Sequence, residues 1–318
     1  MSSKPILYLI IPCYNEEAIL TEASSYFFEK IHSLIGQDII DNNSRILFVD
    51  DGSSDQTWDI IHFLSVKHEH CMGISLSHNS GQQNALLAGL MEAKNHCDIT
   101  ITIDCDGQDD IQAVDEMISA FLAGNDIVYG VRNSRKSDHI FKRTTAQLFY
   151  KLLHFLGVET VSNHSDYRLL SNQVLCELSN YKEVNLYLRG MIPLLGFQHT
   201  CVYYDRKIRM NGTSHYPLGK MISLALDGIT SFSSKPIRMI SSFGILVAGF
   251  SFLGVLWSII GTFQGHTVPG WASTTCFICF LSGVQIISLG IIGEYIGKIY
   301  LETKHRPRYI IYKRTQKK

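Results

Sequence analysis

Two long runs without a charged residue occupy the C-terminal third of this 318-residue chain. They span about 239–263 and about 271–293, and each is longer than the roughly 20 residues that a helix needs to cross the hydrocarbon core of a bilayer. A soluble fold would have to bury both runs completely, as a helical hairpin inside its core. We therefore predict two transmembrane helices.

The charges around these runs predict their orientation. The connection between them, QGHTVPG, contains no Lys or Arg. Basic residues lie instead on the outer sides of the pair, and cytoplasmic flanks are the ones that retain Lys and Arg. Both termini and the N-terminal domain are thus expected in the cytoplasm, in a multi-pass protein of the cell (plasma) membrane. The flanking basic residues are Lys235, Arg238, Lys298, Lys304, Arg306, Arg308, Lys313 and Arg314.

The part of the chain before residue 133 alternates apolar runs with helical patterns. This alternation predicts an α/β fold with a doubly wound, mostly parallel sheet, and such a sheet binds its ligands at the carboxyl ends of the strands. The predicted strands are 6–11, 46–51, 72–77, 98–104 and 126–132, and the predicted helices in this part are 16–34, 58–68 and 82–94. Beyond it we predict helices at 139–157 and about 171–180, and short strands after about residue 200.

Composition argues against two other classes of protein. The formal net charge is −1 and the pI is about 6.9, so no overall positive field attracts nucleic acid, and we expect no nucleic-acid partner. The eight cysteines show neither zinc-site spacing nor the compact pattern of a secreted disulfide-rich domain.

An acidic motif follows the fourth predicted strand. Asp104 and Asp106 are two residues apart, and Gln108 adds an amide oxygen. Carboxylates in this arrangement bind a hard divalent cation that also holds the diphosphate of a nucleotide. A solvated acidic turn has the same sequence, so the motif alone leaves both interpretations open.

Polar loops follow the first two predicted strands. The first reads PCYNEE from Pro12, and the second reads VDDGSSDQT from Val49. In a doubly wound sheet the two loops are neighbours, so the Tyr14 ring, the Asn15 amide and the Asp51 carboxylate are expected to converge on a base and ribose. Taken singly, each loop is also explained by a helix N-cap or a Gly-Ser turn.

Taken together and in this order, PCYNEE, VDDGSSDQT, DCDGQDD, YGVR, FKR and SDYRLLS resemble glycosyltransferase family 2. Within that family they are similar to the polyprenyl-phosphate glycosyltransferases, such as dolichol-phosphate mannose synthase. The segment GEYIGKIY at 293–300 resembles the bacterial branch with two transmembrane helices. The resemblance implies a GT-A-type fold, an inverting single transfer, Mg²⁺ or Mn²⁺ as cofactor and often a homotetramer.

The resemblance also assigns roles to residues of this chain. The matching positions fall into five groups: nucleotide contacts, metal ligands, lipid-phosphate contacts, an acid-x-Arg element near the reacting phosphate, and a donor-contacting loop. Two departures are visible, since relatives more usually have D-A-D-L-Q at the acidic motif and basic residues where this chain has His215 and Gly219. In the order of the groups, the residues are Pro12, Tyr14, Asn15, Glu16 and Asp51; Asp104, Asp106 and Gln108; Arg132 and Arg143; Asp166 and Arg168; and Arg206, Arg209 and Ser214.

These residues lead to one functional prediction. We expect transfer of a hexose, with glucose or N-acetylglucosamine favoured, from a UDP-sugar to undecaprenyl phosphate for cell-envelope glycans. The alternatives are a processive polysaccharide synthase, which would usually show Q-x-x-R-W, and a non-catalytic membrane scaffold or lipid-transport partner that keeps the fold. The predicted domains are a catalytic domain at 1–217, with its nucleotide and metal half at 1–132 and its acceptor half at 133–217; a juxtamembrane amphipathic helix at 218–237; the transmembrane pair within 238–293; and a basic tail at 294–318.

Overall fold

The computed structural model describes residues 4–133, 164–183, 187–205 and 271–315, together with separate positions between 237 and 253. The chain divides into two compact units, one that holds the sheet and one that holds the C-terminal helix. Three predicted segments lie wholly or mostly outside the described residues: a helix at 139–157, the amphipathic helix at 218–237 and the first apolar run.

One mixed sheet of eight strands organises the first unit. All five predicted strands are present, each within a few residues of its predicted bounds. In spatial order the sheet reads β7-β5-β6-β4-β1-β2-β3-β8. The strands are β1 (Leu7–Cys13), β2 (Arg45–Asp50), β3 (Cys71–Leu76), β4 (Ile99–Thr102), β5 (Ile127–Arg132), β6 (His164–Ser171), β7 (His199–Tyr204) and β8 (Ile311–Arg314).

The first four strands form the parallel centre of this sheet. β1 pairs with β2 on one side and with β4 on the other, and β2 pairs with β3. The chain therefore builds outward from β1 to β3 and then returns to the opposite side of β1. The direction in which successive strands are added reverses between β1 and β4. Open α/β sheets bind ligands in the crevice at such a switch point.

Two strands of the sheet, β6 and β8, were not predicted, and β7 was expected only within a run of short strands after about residue 200. β6 runs antiparallel to both β4 and β5, and β7 pairs parallel with β5. β8 pairs antiparallel with β3, so the segment 294–318, expected as a basic tail, instead contributes an edge strand. Its Arg314 reaches Glu92, and the Thr315 hydroxyl accepts the Gly73 N–H at 2.9 Å.

Helices cover the sheet and close its apolar interior. α1 places Leu20, Phe27 and Ile31 against β1 and β2, where all are 3% exposed or less. Helices α4 and α6 were not predicted. The helices are α1 (Glu17–Gly36), α2 (Thr57–Lys67), α3 (Gln82–Ala93), α4 (Ala113–Leu122), α5 (Asn172–Leu178), α6 (Leu188–Leu194) and α7 (Trp271–Thr303).

The last helix carries the second apolar run. α7 has 33 residues, so it is ~50 Å long at about 1.5 Å per residue and exceeds a hydrocarbon core of ~30 Å. Among the residues that the structure describes, one segment is long and apolar enough to cross a bilayer, at Leu281–Thr303. Its large apolar side chains face outward, with Ile286 69% exposed and Ile287 66% exposed.

Candidate active site

A cavity of about 330 Å³ opens at the switch point of the sheet. Residues from the loops after β1, β2, β3 and β4 line it, as expected for ligands at the carboxyl ends of parallel strands. The lining combines an aromatic ring, small apolar side chains and carboxylates. It consists of Pro12, Cys13, Tyr14, Glu16, Asp51, Asn79, Gly81, Gln82, Ala85, Asp104, Cys105 and Asp106.

Hydrogen bonds join the loops after β1 and β2. Asn15 adopts a φ of 54°, a left-handed conformation that asparagine tolerates. Its backbone N–H donates to Ser53 Oγ at 3.0 Å, and its Oδ1 accepts the Ser54 N–H at 2.9 Å. The Glu16 N–H donates to Thr57 Oγ1 at 2.9 Å. The two loops thus lie side by side, while the Asn15 side chain ties them together and is not among the cavity-lining groups.

Asp51 is 3% exposed and organises the loop after β3. Its two carboxylate oxygens accept the N–H groups of Ser80 and Gly81 at 2.8 and 2.9 Å. Burial raises the pKa of Asp51, although these two N–H groups oppose the rise. Gly52 follows with a φ of 67°, and a Cβ there would lie 2.5 Å from the His78 carbonyl carbon, so glycine is required at this approach.

The acidic motif concentrates negative charge after β4. Burial, together with the carboxylates of Asp109, Asp166 and Asp106, raises the pKa of Asp104 to about 7. The Gln82 amide donates to Asp104 Oδ1 at 2.9 Å. Like charges that are buried together favour protonation or a bound cation, so the motif differs physically from a solvated acidic turn.

Two buried oxygens beside this motif have no hydrogen-bond donor among the described residues. They are Gln108 Oε1 and Asp109 Oδ2, in residues that are 3% and 4% exposed as a whole. Leaving such acceptors unpaired is costly, and a hard cation satisfies oxygen acceptors. Within the described residues no three His, Cys, Asp or Glu side chains are grouped to hold a metal alone. The residues therefore fit a cation held partly by Asp104, Asp106 and Gln108 and partly by a ligand, as Mg²⁺ prefers.

Asp166, on β6, is 3% exposed and lies between two arginines. Arg168 contacts its Oδ1 from the same strand, and Arg189 on α6 donates to both oxygens, through Nε at 3.1 Å and Nη2 at 2.9 Å. Burial alone would raise the pKa of Asp166, but the two guanidinium groups lower it to about 2. The carboxylate is therefore ionised throughout the neutral range.

Arg132, at the end of β5, is held by a second polar cluster. Its Nη2 donates to Asp109 Oδ1 at 3.0 Å and its Nε donates to the Tyr204 hydroxyl at 3.2 Å. The Tyr204 hydroxyl in turn donates to Asp109 Oδ1 at 2.5 Å. The arginine side chain is 24% exposed, whereas the Asp109 side chain is 1% exposed, so the buried partners direct the guanidinium outward.

The structure brings together most of the site residues expected from sequence. Four further polar residues, to which the sequence analysis assigned no role, contact them: Gln82, Gln83, Asp109 and Arg189. Asp109 lies inside the motif DCDGQDD, whereas none of the motifs quoted above includes Gln82, Gln83 or Arg189. Four expected residues lie outside the described residues: Arg143, Arg206, Arg209 and Ser214.

A second cavity, of about 520 Å³, lies at the opposite end of the sheet, where β1, β2 and β3 begin. Tyr8, Arg45, Cys71 and Met72 are among its lining residues. The amino ends of parallel strands are not the ligand-binding edge of an open α/β sheet, and the acidic motif lies at the other edge. We therefore assign the site to the switch-point cavity.

Comparison with known proteins gives a consistent result. Residues 8–179 match glycosyl transferase family 2. An uncharacterized glycosyltransferase, YkoT, of Bacillus subtilis (strain 168) is 47% identical over 309 residues, which is 97% of this chain and 92% of the relative. A bactoprenol glucosyl transferase of Shigella phage SfV is 39% identical over 311 residues, covering 97% of this chain and 99% of the relative.

Solved structures are more distant. Glucosyl-3-phosphoglycerate synthase from Mycobacterium tuberculosis, crystallised with Mn²⁺, UDP-glucose and phosphoglyceric acid, aligns with a TM-score of 0.45 at 18% identity. The alignment covers 71% of this chain and 78% of that chain.

Proposed function

The chain belongs to glycosyltransferase family 2, and on that premise we propose that it transfers glucose from UDP-glucose to a polyprenyl phosphate such as undecaprenyl phosphate. One observation carries this conclusion: the two nucleotide loops and the acidic pair line a single cavity at the switch point of the sheet. The relative that spans 97% of this chain and is named a bactoprenol glucosyl transferase supports the choice of sugar and of acceptor.

The cavity offers a distinct surface for each part of a nucleotide-sugar. Tyr14 is 46% exposed and presents a ring face to a base. Asp51 and Glu16 supply carboxylates for hydroxyl groups of the ribose. Asp104 and Asp106 lie where a divalent cation, Mg²⁺ or Mn²⁺, when bound, offsets the charge of the diphosphate that departs.

The acceptor needs little activation. The second pKa of a phosphate monoester is about 6, so a lipid phosphate is mostly dianionic at neutral pH. One of its oxygens bonds to the anomeric carbon of glucose while the bond from that carbon to UDP breaks, and UDP leaves with the electron pair. This single displacement inverts the anomeric configuration.

Asp166 acts in this scheme as a positioning residue. A carboxylate whose pKa is about 2 is a poor acceptor for a proton at neutral pH, because efficient general bases have pKa values near the working pH. Its two oxygens are already occupied by Arg168, Arg189 and Gln83. Asp166 therefore orients arginines, and the dianionic phosphate supplies its own nucleophilic oxygen.

The path of the chain supports a membrane hairpin. β7 ends at Tyr204 and β8 begins at Ile311 in the same sheet, an arrangement that supports an even number of membrane crossings between them. Leu281–Thr303 provides one candidate span, and the uncharged run at 239–263 provides the second. With the sheet on the cytoplasmic side, the soluble donor and the lipid phosphate both reach the cavity while the prenyl tail stays in the bilayer.

The direct test is a donor screen with the full-length protein in detergent, undecaprenyl phosphate and Mg²⁺ or Mn²⁺. We expect UDP-glucose to give a chloroform-soluble labelled lipid and an equal amount of UDP. The other labelled donors are UDP-N-acetylglucosamine, UDP-galactose and GDP-mannose. Release of nucleotide without labelled lipid would refute the acceptor, and a preference for GDP-mannose would refute the assigned donor.

Removal of the Tyr204 hydroxyl tests whether Arg132 binds the acceptor phosphate. In Tyr204→Phe, Arg132 loses its Nε partner but keeps Asp109, so we expect the KM for undecaprenyl phosphate to rise roughly fivefold, the value of about one hydrogen bond. The KM for UDP-glucose should stay within twofold. Tyr203→Phe is the matched control, because that neighbouring ring is 63% exposed whereas Tyr204 is 4% exposed. An unchanged acceptor KM in Tyr204→Phe would contradict the assignment of Arg132.

A further inference from the structure

Asp166 and its two arginine partners carry a net positive charge among themselves, because Asp166 contributes one negative charge and Arg168 and Arg189 contribute one positive charge each. Asp166 and Arg168 are 3% and 1% exposed, but the Arg189 side chain is 38% exposed. Of these three groups, Arg189 is therefore the one that reaches solvent.

The contact with Asp166 uses only one edge of the Arg189 guanidinium. Nε and Nη2 each donate one hydrogen to the carboxylate. A guanidinium has five N–H groups, so among the described residues both hydrogens of Nη1 and the second hydrogen of Nη2 have no acceptor in this protein and remain for a ligand. The carboxylate thereby fixes the plane of the group while its other edge stays available.

The helix that carries Arg189 is held in place from α3. Gln83 donates to Asp166 Oδ2 at 3.1 Å and accepts the N–H of Leu188 at 3.1 Å, so one side chain fixes both the carboxylate and the first residue of α6. The preceding residue, Gln82, donates to Asp104. Burial alone would lower the pKa of Arg189, but Asp166 raises it, with a smaller contribution from Asp104. The direction of Arg189 is thus set by buried neighbours, and its charge lies within electrostatic range of Asp104.

We propose that Arg189 binds a phosphate group of the reaction through the free edge of its guanidinium, and that Asp166 and Gln83 position it for this contact. A planar guanidinium matches two phosphate oxygens with two charge-assisted hydrogen bonds. The phosphate belongs either to the diphosphate of the donor or to the polyprenyl phosphate. This inference rests on the proposed function for the identity of the phosphates.

Two kinetic series and one binding measurement test Arg189. Initial rates of Arg189→Gln and Arg189→Lys are measured first with UDP-glucose varied at saturating undecaprenyl phosphate. They are then measured with undecaprenyl phosphate varied at saturating UDP-glucose. UDP affinity in the presence of Mn²⁺ is measured by calorimetry without acceptor. Arg314→Gln is the matched control, because Arg314 contacts Glu92 through the same two atoms, Nε at 2.9 Å and Nη2 at 3.1 Å. Glu92 lies ~14 Å along α3 from Gln83, at about 1.5 Å per residue.

For Arg189→Gln we expect the KM of one substrate to rise roughly tenfold or more, the value of a hydrogen bond to a charged group, and Arg189→Lys to recover part of the loss. A contact with the donor also weakens UDP binding, whereas a contact with the acceptor leaves UDP binding unchanged. Arg314→Gln should match the wild type in both KM values.

Unchanged KM values and unchanged UDP affinity in Arg189→Gln would overturn the proposal, even if turnover fell together with thermal stability. That result differs from a failure of the proposed function, in which the wild-type protein itself makes no glucolipid. The UDP-binding measurement reports on Arg189 without requiring turnover.

Discussion

Asp106→Ala is expected to lower metal-dependent glucosyl transfer by ~10³-fold, because a bound cation stabilises the departing diphosphate by several kcal/mol and each ~1.4 kcal/mol is tenfold in rate. The loss should be the same whether Mg²⁺ or Mn²⁺ is supplied. Chelation of the metal from the wild-type protein should produce a loss of similar size. The measurement is the initial rate of glucolipid formation over a metal titration.

Asp110→Ala is the matched control for Asp106→Ala. Each carboxylate accepts the backbone N–H two residues later, at 3.1 Å from Gln108 for Asp106 and at 3.3 Å from Gln112 for Asp110. Both variants therefore lose the same local hydrogen bond, but only Asp106 lines the cavity. Equal losses in the two variants, or near-normal rates in Asp106→Ala, would remove the metal role of Asp106.

Asp166→Asn should reduce both turnover and stability. The amide cannot balance Arg168, which is 1% exposed, and removal of one partner from a buried ion pair costs about 3–5 kcal/mol. We expect the thermal midpoint to fall by roughly 10 °C, at about 2–4 °C per kcal/mol for a chain of this size, and turnover at 25 °C to fall by ~10²-fold as Arg189 loses its alignment. Differential scanning calorimetry and initial rates at 25 °C measure these effects.

The pH dependence of the free energy of unfolding distinguishes the contribution of Asp166 from that of an exposed carboxylate. Its pKa falls from 3.8 to about 2 in the folded protein, so its ion pairs contribute ~2 kcal/mol that is fully present above pH ~4 and is lost as pH falls through ~2. Asp166→Asn should lack this contribution. Asp38→Asn is the control, because Asp38 pairs with Lys4 at the surface with 78% of its side chain exposed, and such pairs contribute little. A shift in Asp38→Asn as large as that in Asp166→Asn would contradict the argument.

At saturating Mn²⁺, where a bound cation keeps Asp104 ionised, a wild-type rate that declines along a single titration near pH 6 would agree with the dianionic acceptor phosphate as nucleophile. The pKa of Asp166 lies far below this range. An acidic limb that disappears in Asp166→Asn while turnover persists would instead identify Asp166 as a general base.

Local sequence patterns were sufficient to predict the strands of the parallel core. The apolar run ILYLII is continuous because a strand covered on both faces needs no polar alternation, and the loops that follow the parallel strands carry the polar residues of the site. β6 was not predicted as a strand because its residues include Asp166 and Arg168, which are buried but charged. Burial of charge depends on partners that no local pattern reveals.

The structure of the C-terminal segment also could not be predicted from local sequence patterns. Its basic residues indicated a solvated tail, yet Ile311–Arg314 forms an edge strand on β3. A four-residue strand has too little periodicity to distinguish it from a loop. Its pairing partner lies more than two hundred residues earlier in the chain, as the contact between Thr315 and Gly73 shows.

The sequence by itself determined the α/β class, the two uncharged runs, and the acidic pair at the end of a strand, because each depends on residues that are close together in the chain. Only the tertiary structure decided what surrounds Asp166. Gln83 and Arg189 are 83 and 23 residues away from it, and their contacts lower its pKa despite its burial. The physical reason is that charge balance in a buried site is set by distances through space, which the fold fixes and the order of residues does not reveal.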